Sequence, residues 1–350
     1  PDFQAYHHDL YRGMGRLWVM EQQPGTVNWA KYNPIPLKGA VRLWSWEAFA
    51  HDAEVVSYFR WRQAPYAQEQ MHAGLMYRDN TPAPGQEEAQ QVSEEIEKIE
   101  MPATEQSPIA LVHDYEACWM TELDGQTHDF HYTRLLLDFY KAVRMNGGSL
   151  DIVGKNADFT GYKLVIVPSF VYFQEEDLQR VIKSGAQILA GPRTGTKTPD
   201  FQLPPELSLE GLGFQVRRVD ALPRDLPVPV EWNGIKGNFS VWREHGLTSG
   251  VSEGKSSDGM AVLTSGNQGS YLCGWPDQKL LNAIMKNQMQ LAGLDVVELP
   301  EYLRVRRRGN LLFFTNYGTQ EISIPEVYQG ELLLGKRTLS QADISILKIN

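Results

Sequence analysis

RLWVMEQQPGTVNW, residues Arg16 to Trp29, decides how the rest of the chain is read. Leu17, Trp18, Val19 and Met20 are apolar at odd and even positions alike, the pattern of a strand buried on both faces. Pro24-Gly25 then breaks the chain into a loop. Glu21 therefore falls at the carboxyl end of a buried strand. In an α/β barrel that end faces the mouth, where reacting groups collect. Gln22, Gln23, Trp18 and Trp29 surround the carboxylate. Indoles offer apolar faces to stack on, amides bind hydroxyls and an acid can react, which is the chemistry of a sugar pocket. A solvated loop residue or a helix-capping partner is the structural alternative for this glutamate.

Outward from this stretch, helices and strands alternate. Tyr6 to Gly13 closes a helix, and Ala40 to Ala53 forms another, with Val41, Trp44, Ala48 and Phe49 near one face. Val55 to Trp61 is the next strand, Asn80 to Gly85 a loop, and Gln86 to Ile99 an acidic amphipathic helix. This order predicts parallel α/β structure. Two strands cannot close a barrel that needs eight. Residues 1–100 are therefore either a remnant or the completion of a barrel. After a linker from Met101 to Pro108, strands at 109–113, 150–153, 164–168 and 187–190 alternate with helices at 132–145 and 175–183. Further strands at 261–264 and 270–273 and a helix at 280–292 follow, a doubly wound pattern. From Tyr302 to Ile349 short alternating strands predict a small antiparallel β domain. The four arginines within Arg304 to Arg308 read as one solvated strand face.

Composition narrows the functional classes. The formal charge of −10 argues against nucleic-acid binding through a basic surface. No apolar run approaches the ~18 residues of a membrane span. Two cysteines, Cys118 and Cys273, cannot build a disulfide scaffold or a four-thiolate zinc site, and a reduced cytoplasmic setting is the simpler expectation. The first residue is proline, and the chain reads as a piece of something longer.

VMEQQPGTVNWAKYNPIPLKGAVRLW resembles the nucleophile segment of glycoside hydrolase family 42 β-galactosidases. The similarity continues through Val55 to Gly74, Ile109 to Trp119, Gly191 to Thr198, Gly274 to Asp277 and Leu303 to Gly318, so it spans essentially the whole chain. The resemblance implies three parts. Residues 1–100 would be the last βα units of a TIM (β/α)8 barrel. Residues 101–299 would be a flavodoxin-like, class I glutamine-amidotransferase-like trimerisation domain, and residues 300–350 a small antiparallel β-sandwich. It implies retaining hydrolysis of terminal β-D-galactosides, with Glu21 as nucleophile, Trp29 as a stacking platform, and Glu69 and His72 as ligands of galactose hydroxyls. It also implies a homotrimer, and no organic cofactor. The acid/base of this clan is a glutamate after an asparagine, and no Asn-Glu pair occurs here. The acid is thus expected upstream of Pro1, and the chain alone is expected to be inactive. The other hypothesis is a noncatalytic assembly module.

On their residues alone, Glu69 and His72 would share a face if a helical turn forms. His72 would otherwise be a satisfied loop histidine. Arg60 and Arg62 either orient Glu21 or Glu69 or form a structural salt bridge. An amidotransferase would need a cysteine after the strand at 164–168, where the chain has Ser169-Phe170-Val171. GPRTGTKT, Gly191 to Thr198, lacks the phosphate-loop spacing and reads as a loop at a subunit interface. His128 and His131 have helical spacing but no further ligand pattern, so no metal site is expected.

Overall fold

Helix α1 (Asp2–Arg12) leads into β1 (Leu17–Gln22), α2 (Ala40–Ala50), β2 (Ala53–Tyr58) and α3 (Pro84–Ile96). The computed structural model describes residues 2–349 except 124, 205, 206 and 210. Two compact units are present: residues 1–105 with 298–350, and residues 106–297. In the first unit β1 and β2 pair in parallel, with Leu17 opposite Ala53 and Gln22 opposite Tyr58. Leu17 and Val19 pack towards the core beneath α2. Trp18 and Met20, on the alternate face, are 50% and 62% exposed. The expectation of a strand buried on both faces is therefore corrected. The parallel pair has only two strands among the described residues, and only one of its faces is covered.

The second unit begins with β3 (Ile109–Val112), α4 (Tyr115–Leu123), α5 (Tyr132–Met145), β4 (Leu150–Val153) and β5 (Leu164–Val167). Helix α6 (Glu175–Ser184) and β6 (Gln187–Ala190) follow. A run of strands comes next: β7 (Leu207–Ser208), β8 (Phe214–Ala221), β9 (Val228–Trp232), β10 (Ile235–Thr248) and β11 (Val251–Ser256). Strands β12 (Ala261–Ser265), β13 (Ser270–Leu272) and β14 (Gly274–Pro276) then lead to α7 (Gln278–Leu291). All of these strands join one sheet. Its order is β4-β3-β5-β6-β13-β12-β11-β9-β10-β8-β7, with β14 on β10. Strands β4, β3, β5, β6 and β13 run parallel, and the remaining pairs are antiparallel. Short, wholly apolar strands such as β3 and β5 suit a parallel sheet covered on both faces. Helix α6 starts at a capping box between Gln174 and Asp177 and stops at Gly185, whose φ of 81° a side chain would resist.

The chain ends with β15 (Leu303–Arg308), β16 (Leu311–Asn316), β17 (Ile322–Ser323), β18 (Glu331–Leu334), β19 (Thr338–Leu339) and β20 (Asp343–Lys348). Strands β15-β16-β20-β18 form an antiparallel sheet, and β17 pairs with β19. This sheet does not stand apart from residues 1–105. Leu311, Phe313, Ile344 and Ile346 share one core with Trp46, Phe49, Val92 and Ile99. The sequence boundary near residue 300 thus separates two segments that fold as one unit.

The arginines of β15 also depart from expectation. Arg304 and Arg306 are buried. Arg304 forks onto Asp2, with Nε and Nη2 each 2.9 Å from a carboxylate oxygen. Arg306 lies 3.3 Å from Asp9, and Arg308 reaches Asp52 at 3.0 Å and the carbonyls of Phe49 and Pro102. Period-two alternation puts these three on one face, but α1 and the turn between α2 and β2 meet that face with carboxylates. Burial pushes the Asp9 carboxyl upward. Arg306, His51 and Arg12 outweigh it and hold the group well below the usual carboxylate range.

Candidate functional site

β1 carries Glu21 as its penultimate residue, exposed at the carboxyl end of the strand. Two loops meet there. The Phe59 N–H donates to the Gln22 carbonyl at 3.1 Å, and the Ala73 N–H donates to the Thr26 carbonyl at 2.8 Å. A Cβ on Gly25 would lie 2.7 Å from that of Ala73, so glycine permits this approach. These contacts place Glu21, Gln22, Gln23, Trp29, Phe59 and His72 on one groove of about 650 Å³ that also reaches α1.

His72 is the most constrained of these groups. It is buried, and its ring stands edge-on to Phe59 at 5.3 Å between centroids. Neither ring nitrogen has a hydrogen-bond partner. A buried polar group left so costs about 1–3 kcal/mol, which a ligand hydroxyl in the groove would recover. Trp29 is 73% exposed, its indole open to a stacking partner. Trp18 also borders the groove, but its N–H is engaged by Glu54 of β2 at 3.0 Å. Arg16 joins that pair, and these two donors lower the Glu54 carboxyl to about 2.

Glu69 is not among the groove-lining residues. A turn does form, with the His72 N–H on the Glu69 carbonyl at 2.9 Å, but the two side chains diverge. Glu69 adopts a left-handed φ of 59° and pairs with Arg60 at 2.6 Å. Arg60 therefore orients Glu69, while Arg62 turns to Asn80 at 2.8 Å. Among the described residues lining the groove Glu21 is the only carboxylate. A retaining glycosidase needs a second, ~5–5.5 Å away. No group of three or more histidine, cysteine or acidic residues placed to hold a metal occurs among the described residues. No helix there is long and apolar enough to cross a membrane.

The second unit has no cysteine nucleophile where its sheet would place one. The turn after β5 holds the buried Ser169. Cys118 lies on α4, and burial, then the nearby Glu122, pushes its thiol up to about 11. Cys273 is buried, and that burial, then the nearby Glu244, pushes its thiol well above the ordinary value. Neither is a thiolate at neutral pH. GPRTGTKT is buried inside the unit from Gly191 to Thr196, not exposed to another copy. A Cβ on Gly191 would lie 2.0 Å from the Pro168 carbonyl oxygen. The Arg193 guanidinium lies 4.8 Å from the ring centroids of Phe130 and Trp242. Sequence reasoning missed this packing because Phe130 and Trp242 are remote in the chain.

Fold and site together define an α/β protein whose carboxylate, amides and indole gather at the carboxyl end of parallel strands. Residues 1–99 match the glycoside hydrolase family 42 description "beta-galactosidase", and residues 107–295 match that family's "beta-galactosidase trimerisation domain". The chain belongs to glycoside hydrolase family 42. It is 44% identical to a Thermus thermophilus β-galactosidase, over 99% of this chain and 55% of that protein. The crystal structure of a β-galactosidase from the psychrophilic Marinomonas ef1 superposes with a TM-score of 0.93 at 40% identity, covering 100% of this chain and 56% of that one. The Halorubrum lacusprofundi β-galactosidase structure gives a TM-score of 0.92 at 31% identity, over 99% and 56%. The chain thus spans about half the length of the relatives it matches.

Proposed function

We propose that this chain is the carboxyl-terminal portion of a retaining β-galactosidase. Its residues 1–100 would end a (β/α)8 barrel, 101–299 form an amidotransferase-like trimerisation domain, and 300–350 a small β domain. The observation that carries this is Glu21 at the end of a parallel strand, facing a groove with an open indole and a partnerless buried histidine. In this role a Glu21 oxygen attacks the anomeric carbon of a terminal β-galactoside, and the glycosidic bond breaks as the leaving oxygen takes a proton. A galactosyl ester forms and water hydrolyses it. Trp29 stacks on the apolar face of the sugar. His72 holds a ring hydroxyl, and this bond strengthens as oxocarbenium character develops, whereas Glu69, turned to Arg60 and away from the groove, is not assigned a sugar contact. The acid that protonates the leaving oxygen would come from barrel strands outside this chain, consistent with a single carboxylate among the described residues lining the groove. No cofactor is required. A homotrimer and a cytoplasmic setting belong to the same proposal, and both cysteines are unpaired. That lone carboxylate also favours a second role for the chain by itself, a noncatalytic assembly module.

The test is hydrolysis of a chromogenic β-galactoside. The chain as given is expected to show none, and a form with the barrel completed to show turnover. Glu21→Gln in that form should lower kcat at least about a thousandfold. Robust turnover by the chain alone, abolished by Glu21→Gln, would overturn the assignment of the acid to missing strands.

A further inference from the structure

A second cavity, of about 610 Å³, lies in the loop that leaves β2. Arg60, Trp61, Arg62, Tyr66 and Gln68 line it, and no described lining residue is acidic. Strands β1 and β2 run parallel, so this loop stands at the same end of the pair as Glu21. Phe59 lines the groove that holds Glu21, and the next residue, Arg60, lines the cavity. The frame of the cavity is fixed. The Leu75 and Met76 N–H groups donate to the Arg60 and Trp61 carbonyls, each at 2.8 Å. The Arg60 guanidinium lies 4.9 Å from the Phe59 ring centroid and donates to Glu69 at 2.6 Å. Arg62 donates to the Asn80 side-chain oxygen at 2.8 Å. Ala67, like Glu69, takes a left-handed φ, here 68°, a backbone cost that an unconstrained loop would avoid. Trp61 and Tyr66, by contrast, are 67% and 75% exposed. Two open ring faces beside fixed hydrogen-bond donors in a concave site suit a sugar ring.

We propose that this cavity seats the leaving hexose of a β-galactosyl disaccharide, an inference that rests on reading Glu21 as the nucleophile of a galactosidase. Trp61 and Tyr66 supply the stacking faces. Arg62 and Gln68 donate to the hydroxyls of the leaving sugar. Glu69 acts as a positioning residue, since it holds Arg60 in the cavity wall. Binding a part of the substrate that does not react helps to orient the anomeric carbon towards Glu21. The cavity therefore selects among galactosides by what leaves, while the groove selects for the galactose that stays.

The experiment measures galactose release by the barrel-completed form from lactose and from methyl β-galactoside, which carries the same galactose and no leaving sugar. Trp61→Ala and Tyr66→Ala should each lower the ratio of kcat/KM for lactose to that for methyl β-galactoside about tenfold. Trp61→Phe, which keeps a ring face, should restore most of the ratio. Tyr66→Ala keeps the test decisive should Trp61→Ala fail to fold. A ratio unchanged in both alanine variants would overturn the subsite, whether the two rates hold or fall together. An unchanged ratio with a lowered mass in light scattering would show that the rings pack on another copy instead. A parent that releases galactose from neither compound would overturn the galactosidase reading and the subsite with it, so the two failures are distinguishable.

Discussion

Glu244 sits at full burial in the second unit, on the antiparallel strand β10. Its carboxylate accepts from the Arg193 N–H at 2.9 Å, the Trp242 indole at 3.1 Å and the Tyr271 hydroxyl at 2.7 Å. Burial raises its pKa, and these donors only partly offset the shift. A raised carboxyl pKa means the folded chain binds the proton more tightly than the unfolded chain. The stabilising contribution is therefore complete below the ordinary value of about 4.3 and is lost as pH rises through the raised one. Glu244→Gln keeps an acceptor for Arg193 and Trp242 and removes the charge. The variant should unfold at the same or a higher temperature than the parent at pH 7, with a flatter stability profile above pH 4. Each pKa unit so removed corresponds to about 1.4 kcal/mol. A loss of about 1–3 kcal/mol at every pH would show instead that the carboxylate's hydrogen bonds dominate. Sequence did not expose this group, because its three donors come from a loop, its own strand and β13. His72 differs. Its position beside the β2 loop was legible, but its missing partners are a tertiary fact.

Among the elements, the loop after β1 is held by the first turn of α3. A Cβ on Gly85 would fall 1.8 Å from the Pro24 carbonyl oxygen, and a backbone oxygen cannot rotate away. Gly85→Ala should therefore push α3 off the loop that carries Glu21 to Trp29. The expected cost is about 1–3 kcal/mol in urea unfolding, with a displaced His72 ring resonance reporting the disturbed groove. An unchanged resonance with unchanged stability would mean the loop is not braced there. Gly85 was readable only as loop punctuation before a helix. The parallel strands were easier. β3 and β5 are four-residue apolar runs, and α5 is an amphipathic helix between punctuated ends. The hairpins from β8 to β11 escaped the sequence reading because β8 carries Arg217 and Arg218 side by side and β10 carries Arg243, Glu244 and His245. Such charge clusters look like loop until cross-strand partners are known. The β15 arginines misled in the opposite direction, since alternation reveals a face but not what covers it.

For the whole molecule, the two units make a prediction that three independent domains would not. Trp46 packs on Phe313 at 6.4 Å between ring centroids, and both are fully buried. Arg42 of α2 bonds Glu95 at 2.9 Å and Asp343 of β20 at 2.8 Å, so polar as well as apolar contacts join the two ends of the chain. Ending the chain at Val297 would remove Phe313, Ile344 and Ile346 from that core and strip Asp2 and Asp9 of Arg304 and Arg306. Asp2 would lose the guanidinium that forks onto it, and Asp9 would keep Arg12 and His51; a buried carboxylate parted from its cation costs several kcal/mol, beyond the lost apolar burial. The shortened chain should therefore lose the unfolding transition of its first unit while that of residues 106–297 persists. Phe313→Ala, a milder lesion of about 3–5 kcal/mol, should lower the first transition and leave the second in place. Calorimetry of the parent and both variants reads this directly. Two intact transitions in the shortened chain would mean residues 300–350 are a dispensable appendage. Loss of the first transition would mean that the segment bearing Glu21 is held in shape from the far end of the chain, so that substitutions some 290 residues away can disturb the groove.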